Sequence, residues 1–65
     1  MEETKKNYRI TIIFKDEIIT ERFSNEYIAR DTLRNMKELF PNLFVGAALE
    51  EKNKGWHVIW TLGND

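Results

Sequence analysis

Two short runs of alternating residues, one near each end of the chain, constrain this sequence most. Apolar side chains occupy every second position in Tyr8–Phe14 and again in Trp56–Leu62. A strand repeats every two residues, so each run places these side chains on one face and the intervening ones on the other. Residues 25–40, between the two runs, carry apolar side chains at helical spacing. Together these patterns predict a small α+β domain.

The composition limits the class of protein further. The 65 residues are enough for one domain, spanning 1–65. The chain has no cysteine and one histidine, which excludes a disulfide scaffold and favours a reducing compartment. Ten Lys and Arg residues oppose eleven Asp and Glu residues, for a net charge of −1. This balance provides no strong basic field for nucleic acid.

The N-terminal segment, residues 1–7, is polar and is expected to be loose. No apolar run follows its charges, so the pattern is that of neither a signal peptide nor a transit peptide. No stretch approaches the roughly 20 apolar residues that a membrane-spanning helix needs. We therefore expect a cytoplasmic protein.

The first hairpin is predicted to join strands at 8–14 and 18–23 through a turn at Asp16-Glu17. That turn would set Phe14 opposite Ile19 and Glu21 opposite Ile12, and Ile10 would then lie opposite Phe23. A charge on the apolar face is tolerated at the edge of a sheet, where it discourages pairing with other chains. The second strand is therefore predicted to be an edge strand.

The central segment is predicted to be a helix over residues 25–40, with Ser24 as the N-cap and Pro41 ending it. At about 100° per residue, one broad face is expected to be buried; it comprises Ile28, Ala29, Thr32, Leu33, Met36, Leu39 and Phe40. The opposite, solvated face is expected to carry Tyr27, Arg30, Asp31, Arg34, Lys37 and Glu38. Glu26 and Arg30 have the spacing of a favourable ion pair.

The second hairpin is predicted to join strands at 43–51 and 56–62 through a four-residue loop at 52–55. This loop pairs Leu49 with Val58, Ala47 with Trp60 and Val45 with Leu62, and it puts both tryptophans on the helix-covered side. A three-residue loop with a bulge is the alternative, and it shifts the register by one. The first arrangement is favoured because it buries more apolar surface.

The predicted element order is strand–strand–helix–strand–strand. The two most apolar strands, the first and the fourth, are expected at the centre of a mixed four-stranded sheet of order 2-1-4-3. With Asp31-Thr32-Leu33 on the helix and Lys54-Gly55-Trp56 opening the last strand, the chain resembles the immunoglobulin-binding domains of protein G and protein L. This resemblance implies a β-grasp-like architecture. Immunoglobulin binding is not carried over, because a fold does not imply a function.

The sheet face away from the helix is the main candidate site, because one helix covers only one face. Its expected apolar centre is Ile13, Ile18, Ala48 and Ile59, and its expected rim is Arg9, Thr11, Thr20, Arg22, Glu50, His57 and Thr61. An apolar centre with a polar rim is typical of protein interfaces. A half-solvated antiparallel sheet is the alternative interpretation.

The remaining polar residues favour structural roles over chemistry. His57 is predicted to form a cross-strand pair with Glu50, since no nucleophile accompanies it. Asp16, Glu17, Glu50 and Glu51 lie in or beside turns and match no metal-ligand spacing, so no metal or cofactor is predicted.

We therefore expect a non-enzymatic protein-interaction module. It would be an accessory subunit, or an inhibitor of phage or mobile-element type, that binds another protein or a second copy of itself. The candidate contact residues are Ile13, Ile18, Arg22, Tyr27, Arg30, Arg34, Ala48, His57 and Ile59. The alternative is a nucleic-acid-binding domain whose phosphate contacts come from Arg9, Arg22, Arg30, Arg34 and Lys37.

Overall fold

The computed structural model describes residues 5–63 and contains four strands and one helix. The strands are β1 (Tyr8–Phe14), β2 (Ile18–Phe23), β3 (Phe44–Lys52) and β4 (Trp56–Leu62), and the helix α1 spans Glu26–Leu39. The predicted α+β class and the element order are confirmed. Residues 1–4 of the expected loose segment lie outside the described residues. Within that segment Asn7 is held, because its carbonyl accepts a 2.8 Å hydrogen bond from the Lys52 amide.

The sheet is antiparallel throughout and has the order β2-β1-β3-β4. The predicted mixed sheet of order 2-1-4-3 was wrong, and the β-grasp-like architecture that depended on it is not confirmed. β2 does lie at an edge, as predicted. The other edge strand is β4, and the central pair is β1 and β3.

Cross-strand chemistry explains why β3, and not β4, lies beside β1. Arg9 forms two hydrogen bonds to Glu50, of 2.9 and 3.0 Å. The Tyr8 hydroxyl lies 3.4 Å from a Glu51 carboxylate oxygen. β4 contains no carboxylate that could replace either partner. Pairing with β3 therefore stabilises the polar face of β1 as well as its apolar face.

The first hairpin turns one residue earlier than the sequence predicted, which shifts the pairing of its strands by two residues. The Phe14 amide donates to the Glu17 carbonyl, so the loop is Lys15-Asp16. Ile12 then pairs with Ile19, and Ile10 with Glu21. The predicted pairs of Phe14 with Ile19, Ile10 with Phe23 and Glu21 with Ile12 were wrong. Because a shift of two preserves the faces of a strand, Glu21 still lies on the helix side of the edge strand.

The second hairpin has the three-residue loop that was the less favoured alternative. Lys52 pairs with Trp56, and the loop between them has positive φ at Lys54 and Gly55. The register then shifts between Leu49 and Glu50, which leaves Ile59 as an extra residue, a β-bulge. Beyond this bulge Leu49 pairs with Trp60, Ala48 with Thr61 and Ala47 with Leu62. The bulge explains why Leu49 is buried despite the three-residue loop.

The N-cap of the helix is Asn25 and not the predicted Ser24, so the helix begins at Glu26, one residue later than predicted. The Asn25 side-chain oxygen accepts hydrogen bonds from the amides of Tyr27 and Ile28, at 2.8 and 3.3 Å. These bonds satisfy two of the amides that a helix leaves unpaired at its start. Pro41 follows the C-cap residue Phe40, where the helix ends as predicted.

The core lies between α1 and the strands β1 and β3. Its buried members are Ile10, Ile12, Phe14, Ala29, Leu33, Phe44, Ala47 and Leu49. A second register shift, between Ile13 and Phe14, pairs Phe14 with Phe44 and leaves Val45 exposed. The rings of Phe14 and Phe44 meet edge to face, with centroids 6.4 Å apart.

The buried face of the helix is narrower than the sequence predicted. Ala29 and Leu33 are fully buried and Met36 packs beside them. Three residues that were predicted to be buried, Ile28, Leu39 and Phe40, are exposed. Their places beside the core are taken by Arg30 and Lys37, two half-buried side chains from the predicted solvated face. Their aliphatic stems cover apolar surface while their charged ends stay at the boundary.

Candidate protein-interaction surfaces

The sheet face away from the helix, called the open face below, is arranged in three cross-strand rows. The first row is Ile18, Ile13 and Gly46, and the second is Thr20, Thr11, Ala48 and Thr61. The third row is Arg22, Arg9, Glu50 and Val58. No other element of residues 5–63 lies over this face. The structure therefore brings together most of the residues that the sequence placed here.

The first two rows form a shallow half of the open face, with exposed isoleucines in the first row and threonines in the second. Ile13 is 41% exposed and its cross-strand neighbour Ile18 is 67% exposed. The small residues Gly46 and Ala48 lie beside them on β3 and leave the surface low. Exposed β-branched side chains next to small residues form a flat surface that another protein can contact closely.

The third row and Trp56 form a polar, aromatic half of the open face. The Arg9 guanidinium lies 4.3 Å from the centre of the Trp56 ring, and that of Arg22 lies 5.5 Å from it. Arg9 is also ion-paired to Glu50 at 2.9 Å, and this hydrogen-bonded pairing raises the pKa of Arg9. The sequence missed this cluster, because it placed Trp56 on the helix side. The three-residue loop instead sets Trp56 opposite Lys52, on the open face, and the bulge at Ile59 returns Trp60 to the helix side.

Two other residues that were predicted to lie on the open face, His57 and Ile59, have different positions in the structure. His57 pairs with Glu51, not with Glu50, and so belongs to the opposite side of the sheet. Its Nε2 lies 2.9 Å from the Asn53 carbonyl oxygen. Ile59 is partly exposed as the extra residue of the bulge. Val58, which was predicted to face the helix, takes the position opposite Glu50 and is 59% exposed.

The flank of the helix nearest β4 carries a second candidate surface, called the basic flank below. The guanidinium groups of Arg30 and Arg34 lie 5.4 and 5.6 Å from the centre of the Trp60 ring. Arg30 also pairs with Glu26 at 2.8 Å, as predicted. The Lys37 ammonium lies 6.0 Å from the Phe44 ring. The predicted solvated stripe of Arg30, Arg34 and Lys37 is therefore packed against aromatic rings at one side of the helix.

The flank of the helix nearest β2 is apolar. It exposes Ile28 and Leu39, together with Phe40 and Leu43 beyond the helix end. A groove of about 250 Å³ opens here between the helix end and the first hairpin; its lining includes Phe14, Ile19, Met36, Phe40 and Leu43. Tyr27 is exposed, as predicted, but it belongs to neither the open face nor this groove.

Residues 5–63 contain no group of three His, Cys, Asp or Glu side chains close enough to hold a metal ion. Asp16 and Glu17 lie at the first hairpin, while Glu50 and Glu51 pair with Arg9 and Tyr8 on β1. In the same residues no helix has the length and apolar character needed to span a membrane.

Comparison with known proteins does not place the chain in a family. No protein-family model, no curated protein and no solved structure matches it. The surfaces described above are therefore the basis for any statement about function.

Proposed function

We propose that this chain is a small, non-enzymatic protein-interaction module that binds its partner through the open face of the sheet. The proposal depends most on one observation: Ile13 and Ile18 are paired across two strands and exposed by 41% and 67%. The solvated face of an antiparallel sheet is normally polar. Exposed, contiguous isoleucines depart from that pattern in the direction expected for an interface.

The surroundings of these isoleucines fit the same interpretation. Protein interfaces combine an apolar centre with a polar rim, and arginine and tryptophan are enriched among the residues that contribute most to binding. Arg9 and Trp56 lie on the same face as these isoleucines, beyond the threonine row, and the Glu50 ion pair holds Arg9 in place. These side chains are already ordered in the free chain. Binding would therefore cost less conformational entropy than it would if they were mobile before binding.

The partner can be a second copy of the chain or a different protein. A module of this size acts by occupying a surface, and we propose the role of an accessory subunit or of an inhibitor of phage or mobile-element type. In either role the open face would be covered in the complex and exposed in the free chain.

The distribution of cations favours this proposal over nucleic-acid binding. Arg9 and Arg22 lie on the open face, whereas Arg30, Arg34 and Lys37 lie on the helix side of the sheet. Arg9 is moreover ion-paired to Glu50. The five side chains therefore do not form the single basic track that a phosphate backbone requires. A mobility shift with nucleic acid at low salt, lost on charge reversal of Arg22, would reverse this preference.

The mass of the chain in solution, measured by light scattering over a dilution series, tests the proposal. The monomer is 7.8 kDa. If the chain dimerises through the open face, Ile18→Asp should yield a monomer. The matched control is Ile28→Asp, which makes the same change at a residue that is 55% exposed on the helix. This variant should remain a dimer.

If the chain is a monomer, the proposal has to be tested with a different protein as the partner. Co-purification of tagged chains from cells should then recover a partner with the wild type and with Ile28→Asp, but not with Ile18→Asp. Circular dichroism and thermal unfolding would verify that both variants are folded. Equal assembly or recovery with the two aspartate variants would contradict the proposal.

A further inference from the structure

The outer edge of β4 presents free backbone groups. The Lys52 amide donates to the Asn7 carbonyl, so the pair of Asn7 and Lys52 is hydrogen-bonded between β1 and β3. Bonding alternates along an antiparallel ladder, so Ala47 and Leu49 on β3 direct their backbone groups toward β4. Their partners there are Leu62 and Trp60. The N–H and C=O of Thr61, which lies between them, therefore point away from the sheet, where residues 5–63 supply no further strand.

β4 also lacks the charges that usually protect an edge strand. Its sequence, WHVIWTL, contains no Lys, Arg, Asp, Glu or Pro. The opposite edge strand, β2, carries Glu21 and Arg22. Edge strands without such residues readily accept another strand. The bulge at Ile59 interrupts the first half of β4, which leaves Trp60–Leu62 as its regular segment.

A groove with basic walls runs beside this segment on the helix side of the sheet. It has a volume of about 370 Å³ and is lined by Arg34, Lys37, Glu38, Pro41 and Leu62. The guanidinium groups of Arg34 and Arg30 both lie near the Trp60 ring. The Arg30 Nε is buried and has no hydrogen-bond acceptor among the described residues. Arg30 is paired with Glu26, whereas Arg34 lies exposed beside the free edge and can offer its hydrogen-bond donors to a carboxylate.

We propose that β4 and the basic flank dock an extended acidic segment of a partner protein. The segment would add to the sheet as a fifth strand next to Trp60–Leu62. Every second side chain of the added strand would point toward the helix side, at a spacing of about 7 Å. Carboxylates at those positions would meet Arg30 and Arg34. Glu38, at the C-terminal part of the helix, would direct them toward these arginines and away from the helix end.

The charge of the basic flank favours an acidic strand over a second copy of β4 as the occupant of this edge. If β4 paired with itself about a two-fold axis, the basic flanks of both copies would lie on the same face of the extended sheet. Arginines brought close in this way repel one another, whereas an acidic strand neutralises them. This docking surface is separate from the open face, so it stands or falls independently of the proposed function.

Nuclear magnetic resonance of the full ¹⁵N-labelled chain tests the inference, because its two indole N–H signals report on opposite faces of the sheet. The probe is a synthetic octapeptide of alternating glutamate and valine, and the control peptide alternates lysine and valine. The acidic peptide should shift the Trp60 indole and the Thr61 amide and leave the Trp56 indole unchanged. The basic peptide should shift none of them.

Two variants separate the contribution of charge from that of the strand edge. Arg34→Glu should weaken binding of the acidic peptide about tenfold or more, since it replaces an attraction by a repulsion. Arg22→Glu is the matched control, because Arg22 lies at a similar distance from the other tryptophan, and it should leave binding unchanged. Thr61→Pro removes an outward N–H that pairs with no strand of the sheet, and proline is tolerated at such edge positions, so it should weaken binding while the protein stays folded.

Several results would overturn the inference. These are equal binding of the two peptides, shifts at the Trp56 indole without shifts at Trp60, and undiminished binding by Thr61→Pro. Concentration-dependent shifts along β4 without peptide would assign the edge to a second copy. A single-stranded oligonucleotide that shifted the same signals more strongly than the peptide would assign the basic flank to nucleic acid. Ile18→Asp should bind the peptide normally, which keeps this test distinct from that of the open face.

Discussion

Trp56 and Trp60 lie four residues apart on β4 but on opposite faces of the sheet. Strict alternation would place both on one face. The extra residue Ile59 reverses the alternation between them, so Trp60 packs against the core while Trp56 stacks on Arg9. The three-residue loop thus places one tryptophan on the candidate interface, and the bulge places the other against the core.

Removing the bulge tests this arrangement. A chain lacking Ile59 should fold with a regular β4, because Glu50 and Leu49 would keep Val58 and Trp60 as partners. Ile59 is only partly buried, so the free energy of unfolding should fall by less than about 2 kcal/mol. Nuclear Overhauser contacts between Trp56 and Arg9 should persist, as should cooperative unfolding in urea.

Deletion of His57 is the matched control for that experiment. It would leave a four-residue loop and set Trp56 opposite Glu51, on the helix side. The contact with Arg9 should then be lost. Loss of the contact on deletion of Ile59, or its survival on deletion of His57, would contradict the register described here, in which the three-residue loop sets the face of Trp56 and the bulge sets that of Trp60.

The burial of the helix face predicts contrasting effects of two leucine truncations. Leu33 is fully buried against the sheet, so Leu33→Ala should lower the free energy of unfolding by about 2–5 kcal/mol. Leu39 is 68% exposed, and Leu39→Ala should cost no more than about 0.5 kcal/mol. Urea unfolding followed by circular dichroism measures both. Similar losses for the two variants would be inconsistent with the helix orientation described here.

The helix cap can be tested by comparing two adjacent residues. Asn25→Ala removes the acceptor for two helix amides and should cost about 1 kcal/mol of stability. Ser24→Ala should cost much less, because Ser24 is exposed and no hydrogen bond of its side chain caps the helix. The same unfolding measurement distinguishes them. A larger loss for the serine variant would place the cap one residue earlier.

Tyr8 should titrate above its usual range. Partial burial, the charges of Glu51 and Glu26, and the hydrogen bond to Glu51 raise the pKa of the Tyr8 phenol. Folding therefore favours the neutral phenol. Its contribution to stability is complete below the unfolded pKa of about 10 and is lost as the pH rises through the higher folded value.

A ¹³C titration of the Tyr8 ring measures this midpoint. Glu51→Gln should lower it, because the substitution removes a negative charge beside the phenol. A Tyr8 midpoint at or below the ordinary value, or one unaffected by Glu51→Gln, would show that β1 and β3 do not bring these two groups together.

The faces of the first two strands could be predicted from the sequence, although their exact pairing could not. The turn at Lys15-Asp16 shifted the register by two, and an even shift keeps Ile10, Ile12 and Glu21 on the predicted face. In the second hairpin, by contrast, the shifts in register changed the faces of some residues. Its loop and bulge each shift the register by one, and the stretch between them, Trp56 to Val58, lies on the opposite face from that predicted.

The strand order depended on long-range pairing that alternation does not encode. β4 has the more regular apolar pattern, but β3 carries the carboxylates that pair with Arg9 and Tyr8. Part of the candidate site was still predictable, since Ile13, Ile18 and Ala48 lie on β1, β2 and β3, whose open faces did not change. Trp56 and Val58 were missed because the four-residue loop was favoured; no residue marks Ile59 as the bulge that keeps Trp60 and Leu62 on the helix side with the shorter loop.

Photo-cross-linking from single positions tests the central claim, that the open face binds a partner, most directly. The photoreactive residue p-benzoylphenylalanine would replace Ile18 in one chain and Ile28 in another, each produced in cells at full length. We expect a discrete adduct from position 18, to a second copy or to another protein, and its loss when Ile13→Asp is added. An adduct from position 28 alone, or one from position 18 that survives Ile13→Asp, would contradict the account.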